Sequence, residues 1–253
     1  MKPSVTNRGR SWRTKSGCSG KVGVGRGIAF LVSAWFLLVL TGAAADQSSP
    51  LEQIVRSMDR AAANFRSTEA SFVWDKYTKV VDETETDKGK MYFRRMGKGI
   101  EMAAEITEPA PEQILFREGK VQLYQPRIDQ VTVYNAGNNQ AAVESFLVLG
   151  FGGSGQDMLK SFEVSYVGTE KVQGVDAAKL ALIPKSQKVK DTFDHILLWI
   201  DPARGISVQQ QFFTPSGDYR LAKYTDIKLN ERIPDAVFKL KTTPKTKLVS
   251  PQG

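Results

Sequence analysis

One cysteine, Cys18, and one histidine, His195, are all that 253 residues contain of the two side chains that most often build metal sites and nucleophilic centres. A single thiol cannot close a disulfide within the chain, and no cysteine-based metal site can be assembled from it. His195 stands at the head of Ile196-Leu197-Leu198-Trp199-Ile200 and reads as a structural strand-end residue, with no second imidazole to share a metal. Also missing is an apolar run of about 20 residues, the length a spanning helix needs; the strongest candidate, Ile28 to Leu40, has 13.

The run from Ile28 to Leu40 has a different use. Lys2, Arg8, Arg10, Arg13, Lys15, Lys21 and Arg26 precede it with no acid among them, and Ala43-Ala44-Ala45 follows it as an A-x-A site. This is the pattern of a cleaved Sec-type signal peptide over residues 1–45, leaving 46–253 as a single domain. Cys18 lies before the apolar run, whereas a lipidated cysteine would follow it, so the chain is not itself read as a lipoprotein. The formal charge of +8 belongs almost wholly to the signal: beyond it stand 28 basic and 27 acidic side chains. The basic pI is therefore no argument for a nucleic-acid partner.

Catalytic motifs fail on inspection. Gly152-Gly153-Ser154-Gly155-Gln156 lacks the last glycine of a nucleophile elbow. Gly150, Gly152 and Gly155 match G-x-G-x-x-G, but the match follows helix-like residues in a chain of short hairpins, without the βαβ unit a dinucleotide site requires. It reads better as a hinge. Asp82, Glu83, Glu85 and Asp87, followed by Lys88-Gly89, read as a solvated turn and not as a calcium loop. No pair of carboxylates stands out as acid and base; the chain is read as not an enzyme and as needing no cofactor.

What is present is punctuation and period. Ser49-Pro50-Leu51-Glu52 is a capping box with proline at the first helical position, and Leu51, Ile54, Val55, Met58, Ala62 and Phe65 continue at helical spacing. From Ser71 the period becomes two, and strand-like segments separated by short turns follow: 90–96, 99–106, 113–117, 120–125, 130–134, 162–169, 175–184, 195–201, 205–214, 219–229 and 237–241. Connections this short make the sheet antiparallel. Between Gln140 and Leu149 the pattern turns helical, with an apolar face that includes Val143, Phe146, Leu147 and Leu149, before the glycine-rich break at Gly150, Gly152, Gly153 and Gly155. Twenty aromatics lie beyond the signal. They read as an ordinary filled core or as the wall of an apolar cavity, and composition does not choose.

Certain blocks are recognisable. Gly89-Lys90-Met91-Tyr92-Phe93-Arg94-Arg95, Ile106-Thr107-Glu108-Pro109, Ile114-Leu115-Phe116-Arg117-Glu118-Gly119-Lys120, Leu123-Tyr124-Gln125-Pro126 and Asp235-Ala236-Val237-Phe238 resemble, in order and spacing, the periplasmic outer-membrane lipoprotein carrier family, LolA. The resemblance implies an α+β fold: an incomplete, strongly curved antiparallel β-barrel of about eleven strands, closed by helices that form a lid. It implies a periplasmic carrier that holds lipoprotein acyl chains, loads from an inner-membrane lipoprotein-releasing transporter and unloads to an outer-membrane acceptor; a carrier of this size has no evident need of a partner subunit and is read as a monomer. Arg95 takes the place of the family's lid latch, the alternative being an ordinary surface arginine. Strand parity then puts Phe93 and Met91 on the face of Arg95, with Tyr92 and Arg94 turned away. The cavity wall is expected from Phe72, Trp74, Met91, Phe93, Met102, Phe116, Leu198, Ile200 and Phe212, with the lid from 140–149 and its hinge at the four glycines. Two other readings stay open: a lipid-binding envelope sensor or adaptor, and a secreted hydrolase.

Overall fold

A computed structural model describes residues 48–97, 99–135 and 149–250. The expected signal segment with Cys18, and three of the expected lid residues, Val143, Phe146 and Leu147, lie outside the described residues. Helix α1 (Pro50–Asn64) begins as its sequence requires: Ser49 Oγ accepts from the Glu52 amide and the Glu52 carboxylate accepts from the Ser49 amide, satisfying two otherwise orphaned donors. Two short helices follow among the described residues, α2 (Gly155–Ser161) and α3 (Gln187–Lys190). The rest is strand: β1 (Ser67–Thr78), β2 (Glu83–Met96), β3 (Gly99–Glu108), β4 (Glu112–Arg117), β5 (Lys120–Gln125), β6 (Gln130–Asn135), β7 (Phe162–Val172), β8 (Val175–Pro184), β9 (His195–Asp201), β10 (Ile206–Phe213), β11 (Tyr219–Leu229) and β12 (Lys247–Val249).

All twelve strands belong to one open, curled sheet in the order β12-β6-β5-β4-β3-β2-β1-β11-β10-β9-β8-β7. The sheet does not close: β12 and β7 are its two edges. Hairpins account for every sequential neighbour, and the long return places β11 beside β1 in antiparallel register, Phe72 opposite Tyr224 and Lys76 opposite Arg220.

The inner face carries two apolar clusters. In one, Ile54, Val55 and Met58 of α1 pack on Leu180 and Leu182 of β8 and on Ile196, Leu198 and Ile200 of β9. In the other, Phe72, Met91, Phe93, Met102, Ala104 and Phe116 meet Phe65 and Phe151. Parity decides the division along β2: Met91 and Phe93 face inward, while Tyr92 joins Leu115, Ile233 and Phe238 on the outer face. Arg94 also faces outward, bound to Glu101 at 2.7 Å and to Asp235, with its guanidinium 4.1 Å over the Phe238 ring.

The twelve strands among the described residues accord with the expected incomplete barrel of about eleven, and one of them, β12, runs parallel to β6. Its three residues are held in place by tertiary contacts at Asp129, which no local pattern encodes. The expected strand over 237–241 is instead a 3-10 turn at Asp235–Phe238, because Phe238 and Leu240 cover the outer face of strands already paired on both sides. The acidic run is not a turn: residues 79–82 make the turn, and Glu83 to Asp87 extend β2. There Lys76 of β1 bridges Glu85 and Asp87 at 3.3 and 3.0 Å. Alternation of Glu with β-branched Thr suits a half-exposed strand, and the lysine relieves the repulsion along it.

Candidate functional site

On the inner face a cavity of about 580 Å³ remains between the sheet and the segments that cover it, larger than those of about 130 and 220 Å³ elsewhere. Strand alternation builds its wall. Trp74 comes from β1, Met91 and Phe93 from β2, Met102 from β3, Phe212 from β10, and Ala222 and Tyr224 from β11. Unbranched methionines beside aromatic rings make an apolar surface that can adapt to an irregular guest. Near one end Phe193, from the loop after α3, leans on Phe212 with ring centroids 5.5 Å apart. Lys76, Arg220, Thr192 and Thr214 line the same cavity.

Of the nine residues expected to line a cavity, Trp74, Met91, Phe93, Met102 and Phe212 border this one. Phe72 and Phe116 share the face but are packed in the neighbouring cluster, Phe72 stacked on Trp74 at 4.0 Å between centroids. Leu198 and Ile200 also point inward, yet α1 covers their end of the sheet. Tyr224, Gln210, Phe193 and Arg220 were not anticipated. Their signal was available in principle, since each lies on the inward parity of its strand or beside an inward neighbour.

The segment from Leu149 to Gly152 is set into the sheet's inner face. Phe151, 1% exposed, stacks on Phe93 with ring centroids 5.6 Å apart and meets Tyr224 edge-on at 4.8 Å. The carbonyl of Leu149 accepts from the Gln210 side-chain amide, whose oxygen in turn accepts from the Tyr224 hydroxyl at 2.9 Å. Burial pushes the Tyr224 phenol well above its ordinary pKa, so it remains a donor. The Gly150 carbonyl accepts from the Ser207 amide at 2.8 Å. Two glycines make this approach possible: both Gly150 and Gly152 have positive φ, and a Cβ at either would come within 2.5 Å of Ser207 Cβ or the Phe65 ring. Gly155 opens α2 close against Val55 of α1, while Gly153 lines a small neighbouring cavity.

Arg95 reaches this segment. Its Nη2 donates to the Gly152 carbonyl and to the Ala62 carbonyl, both at 3.3 Å, and the guanidinium lies 5.8 Å from the centre of the Phe65 ring. One side chain thereby ties the end of α1 to the glycine segment and to β2.

The remaining candidates for chemistry are placed elsewhere. His195 Nδ1 is 2.7 Å from Asp194 and its ring stacks on Phe213 at 4.1 Å, away from the cavity wall. Among the described residues no cluster of three acidic, histidine or cysteine side chains could hold a metal ion, and no helix is long and apolar enough to cross a membrane.

An open, curled, mostly antiparallel sheet that keeps an apolar hollow on its inner face defines a half-barrel of the hydrophobic-cavity class. Its family is equally plain: the chain belongs to the outer membrane lipoprotein carrier protein LolA family, whose model matches residues 63–241. No curated protein matches the chain in sequence. Solved structures share the fold at low identity. An uncharacterized conserved protein from Thermus thermophilus is 11% identical, with a TM-score of 0.51 over 80% of this chain and all of that one. MucB is 12% identical with a TM-score of 0.50, over 80% of this chain and 66% of that one. In the Pseudomonas aeruginosa MucA/MucB complex the figures are 13% and 0.48, over 76% and 61%. The chain thus spans about two thirds of the length of these MucB chains.

Proposed function

We propose that this protein is a periplasmic carrier that takes the acyl chains of lipoproteins into the apolar cavity on the inner face of its sheet and moves them from the inner to the outer membrane. The observation that carries the reading is the apolar hollow of about 580 Å³ bordered by Trp74, Met91, Phe93 and Met102, within the range of about 300–1,000 Å³ typical of small-molecule sites. Membership of the LolA family supports the same reading. Arg95 is the latch of this proposal, residues 140–149 its lid and Gly150, Gly152, Gly153 and Gly155 its hinge.

Energetics favour a cover that moves. Burying acyl chains is worth about 0.8 kcal/mol per methylene, so one sixteen-carbon chain contributes on the order of 12 kcal/mol and three about 35. The larger figure exceeds the practical ceiling of about 20 kcal/mol for noncovalent affinity. A carrier that must also release its cargo binds the chains incompletely, or returns part of that energy when the covering segment packs back down. Phe151 between Phe93 and Tyr224 is such a returning group, since its ring satisfies apolar surface that cargo would otherwise cover.

The test is direct. Protein purified from its own envelope is extracted with organic solvent and the extract read by mass spectrometry, with a parallel assay of transfer of a lipidated protein to acceptor membranes. Copurified acylated cargo and transfer are expected; an extract free of lipid and no transfer would sink the carrier reading. Lipid-free extraction together with capture of a protein partner would favour the adaptor reading, to which the free edge strand β7, with Val167 55% exposed, lends some support.

A further inference from the structure

Two adjacent strands change character in the same direction along the cavity. On β1 the inward residues run Phe72, Trp74, Lys76, and on β11 they run Tyr224, Ala222, Arg220; Phe212 of the neighbouring β10 lies opposite Arg220. The register aligns these changes, with Phe72 opposite Tyr224, Trp74 opposite Ala222, and Lys76 opposite Arg220. Tyr224 is buried and Arg220 exposed, and the four residue steps of strand from one to the other span about 13 Å at roughly 3.3 Å each. The hollow is therefore apolar and closed towards Phe93 and Met102, and polar and open at the other end, where Lys76 is paired with Glu85 and Asp87 of β2 and Arg220 stands beside them on β11.

The two cations at that open end are not equivalent. Lys76 is committed to Asp87 and Glu85; burial works against its ammonium, but the hydrogen bonds and charges of those carboxylates outweigh this and hold its pKa above the ordinary lysine value. Arg220 has no carboxylate partner among the described residues, although its guanidinium lines the same cavity. An arginine fork presents paired donors that match a carboxylate or phosphate. Thr192 and Thr214 line the same cavity.

We infer that the cavity selects amphiphiles with an anionic head, a carboxylate or phosphate held by Arg220, whose chain lies along Trp74 and Phe212 towards Phe93. This rests on the cavity being an acyl site and names a ligand class beyond lipoprotein acyl chains, whose ester and amide links are uncharged.

Binding of hexadecanoate, hexadecyl phosphate and hexadecanol, followed by Trp74 fluorescence below their aggregation concentrations, tests it in the wild type and in Arg220→Gln and Arg220→Lys. At low salt the wild type should bind one or both anions about tenfold more tightly than the alcohol, the scale of one charge-assisted hydrogen bond. Arg220→Gln should bring the anions to the level of the alcohol and leave the alcohol unchanged, with Arg220→Lys between. Comparing the two anions tells a carboxylate head from a phosphate one. Equal binding of alcohol and anions by the wild type, or a preference that survives in Arg220→Gln, would overturn the head-group assignment alone. Binding of none of the three would remove the acyl site itself and the assignment with it.

Discussion

The ring of Phe151 lies stacked on that of Phe93, 16° from parallel with centroids 5.6 Å apart, so a residue of the glycine-rich segment packs against a residue of the cavity wall. The contact links the covering segment to the strand whose next inward residue is Arg95.

Replacing Phe151 by alanine is expected to cost about 3–5 kcal/mol of stability, the range for deleting a buried aromatic ring. The same change enlarges the hollow, so bound acyl ligand should recover more of the loss than it contributes to the wild type. Thermal unfolding with and without ligand checks this; an equal ligand-induced shift in both proteins would separate Phe151 from the site.

Arg95→Leu removes both hydrogen bonds to the Gly152 and Ala62 carbonyls. At about 1–2 kcal/mol for the pair, opening of residues 149–152 should become roughly tenfold more frequent. The Ser207 amide, which donates to the Gly150 carbonyl, is the reporter: its hydrogen exchange should accelerate while exchange in β3 and β4 stays constant. Delivery of lipoprotein to an acceptor should weaken in the same variant.

Its neighbour behaves differently. Arg94 pairs with Glu101, whose side chain is only 6% exposed and whose other partner is the half-exposed Arg117. Arg94→Ala strands much of a buried charge and should cost about 3 kcal/mol, more than Arg95→Leu, with no effect on ligand preference. Denaturant unfolding of the two variants side by side distinguishes a structural arginine from a gating one.

Gly152→Ala combines a strained backbone with a clash against the Phe65 ring, whereas Gly97, also at positive φ, has open space around it. Gly97→Ala should therefore cost only about 1 kcal/mol of backbone strain, and Gly152→Ala clearly more. Similar losses at both positions would mean that residues 150–152 are not held against α1.

Acid should release the C-terminal strand. The hydroxyls of Thr243, Thr246 and Tyr124 donate to the Asp129 carboxylate and hold its pKa below the usual aspartate value. A lowered folded-state pKa stabilises above the unfolded value, about 3.9, and that contribution is lost as pH falls through the folded value. Amide exchange at β12 should thus rise below about pH 4, and Asp129→Asn should flatten the dependence by removing the titrating group while keeping an acceptor.

Much of this was legible in the sequence because it is local. The capping box at Ser49 places α1; the period of two assigns Met91 and Phe93 to one face and Tyr92 and Arg94 to the other; glycines beside Phe151 mark a tight approach of backbone. The family blocks between Gly89 and Phe238 add a curved antiparallel sheet. The acidic run was misread because composition suggested a turn, while the lysine that makes it a strand, Lys76, belongs to the preceding strand.

By itself, then, the sequence determined which residues face inward, since alternation is a property of each strand alone. Only the tertiary structure decided what each inward residue meets. Leu198 and Trp74 have the same parity, yet α1 fills the space over one and a hollow remains beside the other. The stacking of Phe151 on Phe93, the parallel docking of β12 and the opposition of Lys76 to Arg220 all join residues far apart in the chain. Such contacts arise from competition among segments for one shared face, and no local periodicity records the winner.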